Sequence, residues 1–245
     1  MSAEAVCFVN ARGQRLAGRL HGTLGDAVVV SCHGMMSTKD GTKHVLLGEE
    51  LARRGVPMLR FDFAGRGESE GSLFDLCCTN EVGDLTAAID FLAAKGVERF
   101  ALFGSSLGGA VALLTAARDE RVVAIATLAA VGHLAALAES QPEAMSAWES
   151  VGYVETPEGR LGRGFLDDAR AHDVIAAVRV LRAPVLVIHG EDDATVPAAD
   201  AHDIASAARS ASLDLVAGAG HTFERPMLLR PVVRQIADFL VQALR

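Results

Sequence analysis

Gly104-Ser105-Ser106-Leu107-Gly108 matches G-x-S-x-G, a sharp strand-to-helix turn that holds a nucleophilic serine at its apex. Its two glycines let strand and helix backbones pass where a Cβ would obstruct them. The frame selects Ser106, because Phe103 and Leu107 would have to be glycines for Ser105 to stand at the apex. A serine hydroxyl attacks a carbonyl only with help from a base that takes its proton. His221, in Gly218-Ala219-Gly220-His221, is the candidate base, since an unperturbed imidazole titrates near working pH. Asp192 and Asp193 compete as the acid that fixes the imidazole tautomer and stabilises the imidazolium. The oxyanion formed on attack needs two preorganised donors. The backbone N–H of Leu107, at a helix start where the dipole favours negative charge, is one candidate. The N–H of Met35, following His33-Gly34, is the other.

These residues need elements to position them. Phe100 to Phe103 is an apolar run of strand length, and Ala110 to Ala117 is rich in helix formers. Strands are predicted at 3–10, 14–21, 27–31, 57–62, 99–104, 122–128, 184–189 and 213–217. Helices are predicted at 43–54, 80–95, 106–118, 198–208 and 230–244. Strands alternate with helices nearly throughout, which implies a mostly parallel sheet covered on both faces, with the first two strands as an antiparallel edge. In such a sheet ligands bind beyond the carboxyl ends of the strands. His33-Gly34-Met35 follows the third predicted strand, Ser106 the fifth, Asp192-Asp193 the seventh and His221 the eighth. The segment from Gly132 to Asp168 breaks the alternation and reads as an insertion over the top of the sheet. It carries Trp148 and Tyr153, each the single residue of its type, as substrate-binding candidates whose alternative is the insertion's own small core. Of the other histidines, His33 is expected to shape the oxyanion loop and His189 to be packed and hydrogen-bonded. His44, His133, His172 and His202 are expected at the surface or at helix caps.

Composition narrows the function. Half of the 245 residues are hydrophobic, enough for a sizeable core, and the net charge of −8 argues against nucleic acid as a partner. Cys7, Cys32, Cys77 and Cys78 show no metal-ligand spacing and fit reduced thiols in a cytoplasm. No signal peptide is read at the N-terminus, and the apolar run 122–138 is better explained as a strand followed by a helix start than as a membrane span. Gly65-Arg66-Gly67 is no dinucleotide fingerprint, since Glu70 stands at the third glycine position. No phosphate-loop motif occurs, and no cofactor is expected.

The segments Cys32–Asp40, Leu59–Gly71, Gly104–Gly109, Ile188–Pro197 and Gly218–Phe223 together resemble the α/β-hydrolase superfamily, and within it the feruloyl/cinnamoyl esterase-like small bacterial serine hydrolases. The resemblance implies an α/β-hydrolase fold over residues 1–245, with an eight-stranded, mostly parallel sheet and a small cap at about 132–168. It selects Asp193 over Asp192, three residues after a glycine and ahead of Val196-Pro197. It also implies a cofactor-free hydrolase. The combined expectation is a cytoplasmic serine hydrolase of carboxylic esters acting on a small-molecule ester, with no metal and no membrane partner, and compatible with a homodimer. Amide or peptide hydrolysis is the alternative within enzymes, and a non-catalytic binding protein on this fold is the alternative outside them.

Overall fold

The computed structural model describes residues 3–245. Ten strands alternate with nine α-helices among them: β1 (Glu4–Val9), β2 (Arg15–His21), β3 (Ala27–Cys32), α1 (Thr42–Arg53), β4 (Met58–Phe61), α2 (Cys78–Ala93), β5 (Arg99–Ser105), α3 (Leu107–Ala116), β6 (Val122–Leu128), α4 (Leu134–Glu139), α5 (Pro142–Ser150), β7 (Tyr153–Thr156), β8 (Gly159–Gly162), α6 (Gly164–Ala169), α7 (Val174–Val180), β9 (Val185–Gly190), α8 (Ala198–Ala207), β10 (Ala211–Val216) and α9 (Pro226–Ala243). Eight strands form one sheet in the order β1-β2-β4-β3-β5-β6-β9-β10, and β7 and β8 form a separate hairpin. β1 and β2 pair antiparallel, β2 meets β4 antiparallel, and the remaining pairs of the large sheet are parallel.

The period of two along each strand divides the core into two layers. Val28, Val30, Phe100 and Leu102 face one layer, closed by α2, α3, α7 and α8. Val29, Ala101, Phe103, Ala126 and Ile188 face the other, closed by α1 and α9. The central strands β3, β5 and β9 therefore carry apolar runs rather than alternating ones, as expected of strands covered on both faces. α3 is buried from Leu107 to Thr115, so the helix behind Ser106 is held by packing all round.

Three features differ from the sequence expectation. α9 begins at Pro226, not at Arg230. Pro226 occupies a first-turn position, where its missing N–H is of no consequence. Pro231 lies inside α9 and removes one hydrogen bond, to the carbonyl of the exposed Met227. α7 was not anticipated; its seven residues are capped by Asp173, whose side chain accepts from Ala176 N–H. His44, expected at the surface, is 1% exposed. It faces the sheet, with its Nδ1 2.7 Å from Ser31 Oγ and its ring tilted on Phe103.

Residues 134–169 form a lobe of three short helices and the β7–β8 hairpin between β6 and α7. The lobe meets the body at named points. Arg66 pairs with Glu158, Thr79 Oγ1 donates to Asp168, and a Cβ on Gly162 would lie 2.5 Å from Phe74 O. Among the described residues no helix is long and apolar enough to cross a membrane.

Candidate active site

The elbow's shape follows from contacts that exclude any side chain. A Cβ on Gly104 would stand 2.3 Å from Gly108 O, and one on Gly108 would stand 2.4 Å from both Cys32 O and His33 O. β5, the first turn of α3 and the loop after β3 thus meet backbone to backbone. Ser106 takes φ 55° and ψ −124° at the turn, a sparsely populated region that costs about 1–3 kcal/mol and persists only where surroundings enforce it. Its N–H donates to Leu128 O at 3.0 Å, which ties the apex to the end of β6.

The loop after β3 passes directly over the serine. A Cβ on Gly34 would come within 3.2 Å of Ser106 Cβ. His33 braces this loop. Its Nδ1–H donates to Gly34 O at 2.8 Å, and its Nε2 accepts from Phe63 N–H at 3.1 Å. Acceptance at Nε2 requires the neutral ring. Burial pushes its pKa down to about 4, against the pull of Gly34 O. The next N–H, that of Met35, and the N–H of Leu107 at the start of α3 have no hydrogen-bond acceptor among the described residues.

The loops after β9 and β10 bring the acid and base together. A Cβ on Gly190 would lie 2.2 Å from Ala219 O, and Asp192 N–H donates to that same carbonyl at 3.0 Å. His221 Nδ1–H donates to Asp193 Oδ2 at 2.8 Å, and His221 Nε2 lies 3.0 Å from Ser106 Oγ, positioned to accept its proton. Asp193 Oδ1 accepts from Thr195 N–H at 2.9 Å and Val196 N–H at 2.8 Å. Burial alone would raise the Asp193 carboxyl. Hydrogen bonds from His189 and His221, together with the Val196 N–H, outweigh it and hold the group well below the usual carboxylate range. Asp192 is exposed and makes no contact with His221. The structure therefore brings Ser106, Asp193 and His221 together, with Met35 and Leu107 beside the serine.

Two further side chains join this site: His189, expected to be packed and hydrogen-bonded but not to touch Asp193, and Lys43. His189 is fully buried, and its Nε2 lies 3.2 Å from Asp193 Oδ2 and 3.0 Å from Val196 O. The aspartate is thus shared between two imidazoles. Burial lowers the His189 pKa, but the contacts to Asp193 and Val196 O prevail and raise it. Its spacing, four residues before Asp193, is the clue that could have flagged it. Lys43, in the first turn of α1, donates to Ser105 Oγ at 3.0 Å, and nothing in its local sequence marks it.

The two aromatics offered as substrate contacts have their recorded partners inside the lobe. Trp148 is 4% exposed, its indole N–H donates to Leu161 O at 3.2 Å, and its ring lies tilted 6.2 Å from that of Phe165. Tyr153 is half-buried with the Arg160 guanidinium 4.3 Å above its ring. Both side chains pack within the lobe, as its interior and rim, and neither makes a hydrogen bond to the serine, histidine or aspartate.

Residues 28–234 match the family model described as the alpha/beta hydrolase family. The chain belongs to that family. Among the relatives of this hydrolase, mitochondrial palmitoyl-protein thioesterase ABHD10 from Bos taurus is 28% identical over 213 residues, covering 83% of this chain and 67% of that protein. A Mycobacterium tuberculosis protein with no assigned activity is 31% identical over 238 residues, covering 94% and 76%. The solved structure of Est1E from Butyrivibrio proteoclasticus with bound ferulic acid superposes with a TM-score of 0.85 at 21% identity, covering 97% of this hydrolase and 99% of Est1E. At that identity the likeness is one of fold.

Proposed function

We propose that this hydrolase cleaves carboxylic esters through an acyl-enzyme on Ser106. The observation that carries the reading is the continuous path from Ser106 Oγ to His221 Nε2, at 3.0 Å, and from His221 Nδ1 to Asp193 Oδ2, at 2.8 Å. In this reading Ser106 Oγ attacks the carbonyl carbon while His221 Nε2 takes its proton. The negative charge that develops on the carbonyl oxygen is met by the N–H groups of Met35 and Leu107. His221 then gives its proton to the leaving oxygen as the ester bond breaks and the acyl group stays on Ser106. Water, deprotonated by the same imidazole, releases the acid and restores the serine. Asp193 keeps His221 in the Nδ1–H tautomer throughout. A thioester would follow the same path with a thiol leaving. The thioesterase name of the bovine relative and the ferulic acid bound by Est1E both support ester-type substrates.

A fluorophosphonate probe tests the reading. Wild-type protein should be labelled on Ser106, and Ser106→Ala should lose both labelling and turnover of p-nitrophenyl esters, the latter by about 10⁴-fold or more. Hydrolysis of aminoacyl p-nitroanilides in preference to the esters would move the assignment to amides. An unlabelled wild type would sink it.

A further inference from the structure

His189 stands near the end of β9, in register with Leu215 of β10, and its side chain is fully buried. Its Nε2 faces two oxygens, Val196 O at 3.0 Å and Asp193 Oδ2 at 3.2 Å. A carbonyl and a carboxylate oxygen can only accept, so the nitrogen between them carries a proton whatever the charge on the ring. Nδ1 has no hydrogen-bond partner among the described residues. All of the ring's polar contact therefore goes to the segment 193–196.

That segment depends on the contact in two ways. Asp193 Oδ2 is the same oxygen that accepts from His221 Nδ1–H at 2.8 Å. Without a donor at His189, Oδ2 and Val196 O would be left as two buried acceptors with no proton between them, and the carboxylate would gain by turning away. The other oxygen, Oδ1, is held by Thr195 N–H at 2.9 Å and Val196 N–H at 2.8 Å. Both donors belong to the same turn as the aspartate and move with it. Val196 O is where His189 ties that turn back to the sheet. One imidazole thus anchors the carboxylate, and the turn that orients it, to a strand paired on both edges by β6 and β10.

We infer that His189 is a positioning residue: its Nε2–H, shared by Val196 O and Asp193 Oδ2, fixes the carboxylate in the orientation that receives His221 Nδ1–H. It acts through Asp193 and makes no hydrogen bond to Ser106 or His221. The inference deepens the reading of Ser106, His221 and Asp193 as a working triad and rests on it.

The test is a double-mutant cycle read in p-nitrophenyl ester hydrolysis, with thermal melting to confirm folding. His189→Leu, which stays apolar and loses the donor, should lower kcat about tenfold or more, with KM changed by less than about twofold. His189→Gln, whose amide can donate to the same oxygens, should recover part of that loss. In an Asp193→Ala background His189→Leu should have little further effect, because the group it positions is gone. If His189→Leu does not fold, His189→Met carries the same cycle. Equal losses in the two backgrounds overturn the inference, as does a wild-type kcat in the folded single variant. The proton resonance of His221 Nδ1–H is a readout independent of turnover. It should shift or broaden in His189→Leu and return towards its wild-type position in His189→Gln; an unmoved resonance overturns the inference. A moved resonance in a protein whose wild type takes no phosphonate label upholds the role of His189 and sinks the esterase reading instead.

Discussion

The elbow end of the sheet and the lobe at 134–169 are built on opposite principles. At the elbow, backbone meets backbone: Gly104 on Gly108, Gly108 on Cys32 and His33, Gly190 on Ala219. Each contact leaves one arrangement, because a peptide group cannot rotate out of the way as a side chain can. The lobe consists of helices of six, nine and six residues and a hairpin of two four-residue strands. Helices this short have little stability of their own. Apart from the close approach of Gly162 to Phe74 O and the apolar packing of Leu161, Phe165 and Leu166, the lobe is attached through side-chain tips, Arg66 on Glu158 and Thr79 on Asp168. Its own ion pairs, Arg160 with Glu155 and Arg170 with Glu139, are solvent-exposed and contribute little. Ser106, Asp193 and His221 thus stand on closely packed backbone, and the lobe on short elements of little independent stability.

The strongest test of that contrast is Gly108→Ala. The added methyl has no space between α3 and the loop after β3, and a destabilisation of about 3 kcal/mol is expected in urea titrations, with esterase activity lost along with loop geometry. Normal stability and activity in this variant would show that the elbow yields as the lobe does.

Acid should next act on the rigid side. The folded protein keeps His33 neutral down to about pH 4, while in the unfolded chain it takes up a proton from about pH 6.5. Between these values the unfolded state binds more protons, so stability falls as pH falls. His33 alone should remove about 2 kcal/mol between about pH 7 and pH 4.5. His33→Gln, less stable at neutral pH through its lost hydrogen bonds, should show a shallower decline in denaturant titrations across that window.

Trp148 is the only tryptophan and lies inside the lobe, so its fluorescence reports on the lobe alone. Its transition should precede the loss of far-ultraviolet dichroism in a denaturant titration. Coincident transitions would show that lobe and body unfold as one unit. The smallest effect is expected for Glu158→Gln, which breaks a half-exposed ion pair at the lobe's edge. Global stability should change by less than about 1 kcal/mol, while KM for bulky esters should change relative to KM for small ones.

The parts of the site that were legible share one property: each lies in a small-residue loop directly after a strand. Ser106, His221 and the pair Asp192-Asp193 could be placed because strand ends are read from local apolar runs, and the parallel order of those strands sets them at one edge; the choice of Asp193 within the pair came from the resemblance. His44 was misplaced, although the spacing of His44, Leu47, Gly48 and Leu51 marks one helical face, which the structure turns to the sheet. A histidine at the first position of that stripe reads as polar surface, and only the partner Ser31 makes its burial tolerable. The start of α9 was obscured because Pro231 carries the same local signal as a true first-turn proline.

The amino-acid order by itself pointed to the class of fold, to Ser106 and His221 as the candidate nucleophile and base and, through the resemblance, to Asp193 as the candidate acid, because backbone preferences and strand ends are local properties. Tertiary structure alone decided that Lys43 reaches Ser105 across 62 positions and that His189 shares the aspartate with His221. It also decided that Trp148 packs within the lobe on Leu161 and Phe165. These meetings depend on strand register and on which helix face turns inward. Both are set by packing the whole core at once, a quantity no short stretch of sequence contains.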